Sequence, residues 1–481
     1  MILVAGSRAF ARLPAVFICV ALLSAVLPTC DVRAADEARV LTLAEAVGQA
    51  LIRNDRMAGL RDNSEQANLS LRLARNTFRP KLVPNILGSF GQSDVSNQTY
   101  RLDLTQRFST GTELRATVGT GTSRNQLGSF YNTDTTLAIS QPLLRGFGRG
   151  VARRQLATAE LRRVDAARQE SVGEQQVAVD VARAYYQVVA QQGLADVAEK
   201  SFERSRRLLE ASRAKLEAGK VSQLDVFRAQ QLLTQAEGQI LDTRAAVEDA
   251  RDLLRYLMGH ERDYDFQVAP DIPKAADSIS AEEAVARAVA QRPELKSAED
   301  AAVDADRGAS YARNQLLPQL DLNFALTRRE TTDSFASSFR LDRFRFATFV
   351  AISMPVDRTP RTIEYNAALI ERDRRRREIR TLRMRIADET RRAVRQQDRL
   401  VKALEVADTS VGFAEKELEV AELRYQRGLS NNLDVVNAEA NLLATQSRRI
   451  STLAELAVAR LSLRATVGVL DPRKDFAGAQ P

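Results

Sequence analysis

Gly219-Lys220-Val221-Ser222-Gln223-Leu224-Asp225-Val226 and Gly428-Leu429-Ser430-Asn431-Asn432-Leu433-Asp434-Val435 are two versions of one turn. In each, Gly is followed five residues later by Leu and then by Asp-Val. Gly enters the left-handed conformation that ends a helix without steric cost, and Ser222 and Asn431 stand where the N-caps of returning helices belong. Outward from the first turn, a polar stretch reaches back to about Val151, and a returning stretch runs on through Leu253. Around the second turn the arms run from about Ile363 to Arg427 and back through Leu461. Each rising arm of about 70 residues predicts a helix of roughly 100 Å.

On the second rising arm, Leu400, Leu404, Ala407, Val411, Ala414, Leu418, Ala421 and Tyr425 step by four and three. On its return, Leu433, Val436, Ala440, Leu443, Ser447, Ile450, Ala454, Ala457 and Leu461 answer. Small residues alternating with large ones suit knobs-into-holes packing. The stripe is narrow, so these helices predict a thin wall with water on two sides rather than a thick core.

Between the helical stretches lie period-two patterns. Tyr100, Leu102, Leu104 and Phe108 alternate with Arg101, Asp103, Thr105 and Arg107, and Leu114, Ala116 and Val118 alternate with Arg115 and Thr117 across a turn at Gly111. Leu82, Ile86 and Phe90 share a face, and Leu137 and Ile139 another. After Pro318, Leu320, Leu322, Phe324 and Leu326 alternate with Asp321, Asn323 and Thr327, and Phe344, Phe346, Val350 and Ile352 follow. Such stretches have the length and alternation of tilted transmembrane strands.

The order repeats. Glu283-Ala284-Val285 echoes Glu45-Ala46-Val47, and Pro318 echoes Pro80, at one offset (283 − 45 = 318 − 80 = 238). The chain is thus an internally duplicated helix–strand–helix module, mainly α with a β portion. The first copy carries an additional hairpin around Gly111. The divisions are a leader at 1–34, short helices at 35–80, strands with the additional hairpin at 81–141 and a long helical hairpin at 142–270. Short helices at 271–317, strands at 318–355, a long hairpin at 356–468 and a tail at 469–481 follow.

Residues 1–34 have the form of a secretory signal: Arg8 and Arg12, an apolar run over Leu13–Leu27, and Val32-Arg33-Ala34 before a cut after Ala34. The alternative is a lipobox at Leu27-Pro28-Thr29-Cys30 with Cys30 acylated. Both cysteines, Cys19 and Cys30, fall in this leader, so cutting after Ala34 leaves no thiol for a disulfide or metal site. The net charge of +8 is spread along helix faces, without the aromatic-interleaved basic patch of a nucleic-acid binder. His260 is the only histidine, which disfavours nucleophilic or metal chemistry. Gly146-Phe147-Gly148-Arg149-Gly150 is not a GxGxxG loop and reads as a strand-to-helix joint. Arg374–Arg377, interleaved with Glu371, Asp373 and Glu378, reads as a solvated helix face. The pattern calls for no enzyme, catalytic residue, metal or cofactor.

Four to six membrane strands cannot close a barrel alone, and open edges are not tolerated in lipid, so several copies must share one barrel. The same copies would assemble their helical hairpins into a hollow α-barrel tunnel continuous with an oligomeric transmembrane β-barrel.

The paired turns, Ala182-Arg183-Ala184-Tyr185-Tyr186 and Gln141-Pro142-Leu143-Leu144-Arg145-Gly146-Phe147-Gly148 resemble the TolC family of outer-membrane efflux proteins across nearly the whole chain after the leader. The resemblance implies an exit duct in the outer membrane of a Gram-negative bacterium, extending into the periplasm. It implies a homotrimer giving four strands each to a twelve-stranded barrel embedded in outer-membrane lipid. Its partners would be a periplasmic adaptor and an inner-membrane pump, in efflux or type I secretion, with no nucleic acid. By resemblance, Asp225 and Tyr425 would form the tip constriction, and Asp434 would line the pore with Asn437, where the family has a second aspartate. Gly219, Lys220, Val221, Gly428, Leu429 and Ser430, the last in place of a family arginine, would dock the adaptor. Asp225 and Asp434 equally suit helix caps. The additional hairpin gives six strands per chain, hence eighteen, unless it packs outside the barrel. The rival reading is a secreted coiled-coil scaffold or adhesin, which has no need of the amphipathic strands.

Overall fold

Reciprocal capping sets the entrance to the fold. Thr42 accepts from the Glu45 amide and Glu45 reaches back to the Thr42 amide, starting α1 (Leu43–Arg53) directly after the short strand β1 (Val40–Leu41). Ser280 holds the Glu283 amide at 3.2 Å in the same way, so the Glu45/Glu283 echo is the third residue of two equivalent helices. This computed structural model describes residues 40–88, 96–125, 128–273, 279–339 and 342–476. The leader with Cys30, Phe90 and residues 477–481 lie outside the described residues.

After α1, Asn54 caps α2 (Asp55–Asn76). Four strands follow: β2 (Lys81–Gly88), β3 (Ser96–Arg107), β4 (Glu113–Asn125) and β5 (Gly128–Pro142). The single turn α3 (Arg149–Ala152) then leads into α4 (Arg154–Glu217), and α5 (Gln223–Met258) returns. The second repeat runs β6 (Gln267–Val268), α6 (Ala281–Gln291), α7 (Pro293–Gln315), β7 (Gln319–Thr332), the short α8 (Phe335–Ser338), β8 (Arg345–Ser353), α9 (Thr359–Gln426) and α10 (Asn432–Val467), with a last turn, α11 (Pro472–Asp475).

The helices form four parallel columns. α2 and α5 lie along successive stretches of α4, and α7 and α10 along successive stretches of α9 while also facing α4. Polar bridges fix the inner seam: Thr158 to Asp304 at 2.9 Å, Arg168 to Asp300 at 2.6 Å and Arg292 to Glu389 at 2.8 Å. The apolar core is largest at mid-height, where Val181, Ala182, Tyr185, Tyr186 and Val188 of α4 meet α1, α5 and α10. There β1 and β6 pair in parallel, and the Tyr185 hydroxyl donates to the Leu41 carbonyl at 3.1 Å. Burial, the neighbouring Tyr186 and nearby acids push the Tyr185 pKa up to about 12, so it stays a donor.

The heptad residues of α9 from Leu400 to Tyr425 are buried, apart from a half-buried Val411. The expected stripe on α10 is displaced near the turn. Val435, Ala438 and Leu442 are buried, whereas Leu433 and Ala440 are exposed. α10 lies against both α4 and α9, so its buried face is set by two neighbours rather than by one seam. Arg374, Arg375 and Arg376 pair with Glu371, Glu378 and Asp306, as a solvated face would.

The remaining strands make one antiparallel sheet in the order β2-β3-β4-β5-β7-β8, so the additional hairpin β3–β4 is part of it. Cross-strand register places Leu82, Leu104, Ala116, Leu137, Leu326 and Phe346 in one row on one face. On the opposite face Asp103 accepts from Asn85 and from Thr117, both at 2.8 Å, and Arg329 binds Asp134 at 2.7 Å. The Gly146–Gly150 stretch is the joint between β5 and the helices; Gly146 (φ 84°) donates to Asn314 Oδ1 at 2.8 Å. Gly111 (φ 97°), in the turn between β3 and β4, packs against that joint so closely that a Cβ would lie 2.8 Å from the Gly146 carbonyl oxygen. Among the described residues no helix is long and apolar enough to cross a membrane.

Candidate functional site: the paired tip

Both long hairpins end in the same backbone device. Gly219 N donates to Leu216 O and Lys220 N to Lys215 O, each at 2.8 Å; Gly428 N donates to Tyr425 O at 3.1 Å and Leu429 N to Arg424 O at 2.9 Å. This double bond pattern closes a helix end around a left-handed residue, and φ is 65° at Gly219 and 74° at Gly428. Three residues later Ser222 and Asn431 cap α5 and α10, as their positions predicted.

The four arms meet in a small core of Leu208, Leu209, Ala229, Leu418, Ala421, Tyr425, Val435 and Leu442. Tyr425 is 3% exposed, and its hydroxyl bonds Ser212 Oγ of α4 at 2.8 Å. Lys215 lies 3.8 Å above the Tyr425 ring and donates to the Tyr425 carbonyl. Burial raises the Tyr425 pKa, opposed by the Ser212 bond and helped by the charge of Asp225. Burial, then Lys220, lowers that of Lys215.

Asp225 is also buried. Its carboxylate accepts from the Ser222 amide at 3.1 Å and the Ser222 hydroxyl at 2.8 Å, and Arg228 approaches to 3.5 Å. Within one chain Asp225 therefore completes the cap of α5, and the bond made by the Tyr425 hydroxyl goes to Ser212. The two turns are tied by Asn432, fully buried, whose side-chain amide donates to the Asp225 carbonyl. Further up, Arg204 grips the buried Glu439 through two bonds of 2.7 and 2.8 Å.

Asp434 and Asn437 are exposed on one face of α10, apart from that cluster. At the turns Gly219, Lys220, Gly428 and Leu429 are exposed, Leu429 at 67%, whereas Ser430 is half-buried. Val221, one of the residues that by resemblance would dock the adaptor, is half-buried against the tip core. Sequence reasoning missed Ser212, Lys215, Asn432, Arg204 and Glu439. A Tyr on a buried heptad position needs a hydroxyl partner, which was the one available signal. It also missed Leu224 and Phe227, both exposed beside the first turn.

A sequence profile described as outer membrane efflux protein matches residues 46–260 and 284–469. The fusaric acid resistance protein FusA of Burkholderia cepacia is 28% identical over 240 residues, 48% of this chain and 44% of that protein, so the match spans less than half the length of that relative. The probable efflux pump outer membrane protein SepC of Pseudomonas putida is 27% identical over 372 residues, 70% of this chain and 71% of that one. Among solved structures, the outer membrane protein VceC of Vibrio cholerae superposes with a TM-score of 0.68 at 16% identity, covering 89% of this chain and 96% of that chain. The duplicated helix–strand–helix fold is thus shared with outer-membrane channels rather than with enzymes, and the chain belongs to the outer membrane efflux protein family.

Proposed function

We propose that three copies of the chain form an exit duct, a passive channel from the periplasm across the outer membrane, closed at the helical tips and driven by an inner-membrane pump through a periplasmic adaptor. The observation that carries this is an edge problem shared by both layers. Among the described residues the sheet ends in two edge strands, β2 and β8, each paired on one side only, and the helical columns end in α5 and α9. α9 shows Val406, Phe413 and Val420 to solvent at seven-residue spacing, and α5 shows Leu224, Phe227 and Leu241. Open sheet edges are excluded from lipid, and a head-to-tail ring of identical copies satisfies sheet and helices together. The exposed Leu429, Gly219 and Gly428 at the tips suit contact with the adaptor.

The closed state in this reading is held by the links that join the two hairpins: Tyr425 to Ser212, Lys215 to the Tyr425 carbonyl, and Asn432 to the Asp225 carbonyl. Opening slides the second hairpin past the first, and Asp434 and Asn437 line the passage. Asp225→Ala combined with Tyr425→Phe is expected to raise single-channel conductance in planar bilayers several-fold. Losing the Asp225 cap costs only about 1 kcal/mol, so the fold survives. Unchanged conductance rejects the gate. Recovery of the protein as a soluble periplasmic species, with no heat-modifiable oligomer on a gel, rejects the channel.

A further inference from the structure

We propose that the hairpin β3–β4 supplies two additional membrane-crossing staves, so that three copies close an eighteen-stranded barrel as wide as the helical tunnel beneath it. This rests on the trimeric duct proposed above and concerns the width of its outer half.

The faces decide it. Tyr100, Leu102 and Leu104 of β3 and Leu114, Ala116 and Val118 of β4 point to the same side as Leu82 and Ile86 of β2, Leu137 and Ile139 of β5, Leu322 and Phe324 of β7, and Val350 and Ile352 of β8. A hairpin lying outside the bilayer has no reason to extend that apolar face in register; one inside it must. On the other face the hairpin carries a polar row, in which Asp103 of β3 bridges Asn85 of β2 and Thr117 of β4.

The apolar band also moves as it should in a tilted wall. It is centred at Pro84 in β2, Leu102 in β3 and Ala116 in β4, and near Phe349 in β8. Following the register, that is a drift of about five residues over five strand steps, which at about 3.4 Å per residue and about 4.8 Å per strand is a tilt of about 35°. β3 and β4 lie on this drift without a break. Beyond the band, the buried Arg328 binds the carbonyls of Ser338 at 2.8 Å and Asp342 at 2.9 Å, and Thr133 meets Thr120 of β4 at 3.1 Å, so β4 ends its apolar run where its neighbours do.

Size and parity agree. Eighteen strands at that tilt enclose a ring about 34 Å across, against about 22 Å for twelve. Twelve helical columns, four per copy, spaced by about 9 Å enclose about 34 Å. An even number of strands leaves β2 and β8 running in opposite senses, and their lengths of 8 and 9 residues match, so β8 of one copy pairs antiparallel with β2 of the next.

The test places one thiol at a time at Leu102, Val118, Arg101 or Thr117, and at Leu137 or Leu326 as reference positions on β5 and β7, in the full-length protein in vesicles, with the unsubstituted chain as blank. A bimane probe reports quenching by brominated acyl chains, and a charged maleimide reports water. At 102 and 118 the expected result is strong lipid quenching and maleimide labelling slower by about tenfold or more than at 101 and 117. Equal water access on both faces of the hairpin, with 137 and 326 still quenched by lipid, overturns the proposal while leaving the duct intact. Water access at 137 and 326 as well overturns both. Native mass spectrometry is expected to count three copies; another number overturns the eighteen strands.

Discussion

Glu439 is the residue whose burial the surface chemistry least explains. It is 3% exposed, and Arg204 balances its charge at 2.7 Å. Truncating one partner of such a pair leaves the other desolvated, so Glu439→Ala is expected to cost about 3 kcal/mol in denaturant unfolding, far more than a surface pair. His260 makes a pH prediction. It stacks on Tyr264 at 3.9 Å, its Nε2 meets Gln49 at 2.8 Å and its Nδ1 faces Arg53 at 3.2 Å. Burial first and the Arg53 charge second lower its pKa. The folded chain therefore prefers neutral imidazole, the unfolded chain binds the proton more readily, and stability falls as pH drops below about 6.5 toward the lowered folded value. His260→Gln is expected to flatten that part of the stability profile, measured as unfolding midpoint against pH. At this scale sequence reading was weakest. Asp225 occupies the third position of a helix, where a carboxylate caps whatever else it does, and nothing local in the sequence marks Ser212 as the partner of the Tyr425 hydroxyl within one chain.

At the scale of elements the sequence was far more legible, because helix ends are written locally. The two glycines, the caps Ser222 and Asn431 and the heptads of α9 all depend on near neighbours, and each stands where its spacing placed it. The register of α10 failed for the opposite reason: a helix facing both α4 and α9 has a buried face that no single-seam pattern describes. The turns also carry an expectation for docking. At Gly428, φ is 74° and its amide closes the end of α9; proline can supply neither the angle nor the N–H. Gly428→Pro is expected to abolish capture of the adaptor in pull-down assays while the trimer still forms, since the change lies at the tip. Normal capture would remove these turns from the docking surface.

For the whole molecule, duplication was visible in the sequence as an offset of 238 residues before the strands and of 209 (428 − 219) at the turns, but how the additional hairpin pairs was not. Alternation announces a strand, and only pairing tells which sheet it joins. The open flanks of the helical layer give the test at this scale. Phe413 is 67% exposed on α9 and belongs to none of the apolar clusters formed by the described residues. Phe413→Asp is expected to leave the helical content and unfolding cooperativity of one protomer intact while weakening the heat-modifiable trimer about tenfold or more, as a charge buried at a subunit seam does. A trimer of undiminished strength would move the seam elsewhere.

The contact between Gly111 and the Gly146 carbonyl works like a rivet. It fastens the lower rim of the sheet to the root of α4, leaving no room there for even a methyl group. In that arrangement, torque on the far end of the 64-residue helix would be spread along a rod of about 96 Å. In the proposed duct, a few degrees of twist over that span would displace the tip and leave the sheet in place, so that one end would move while the other stayed in lipid.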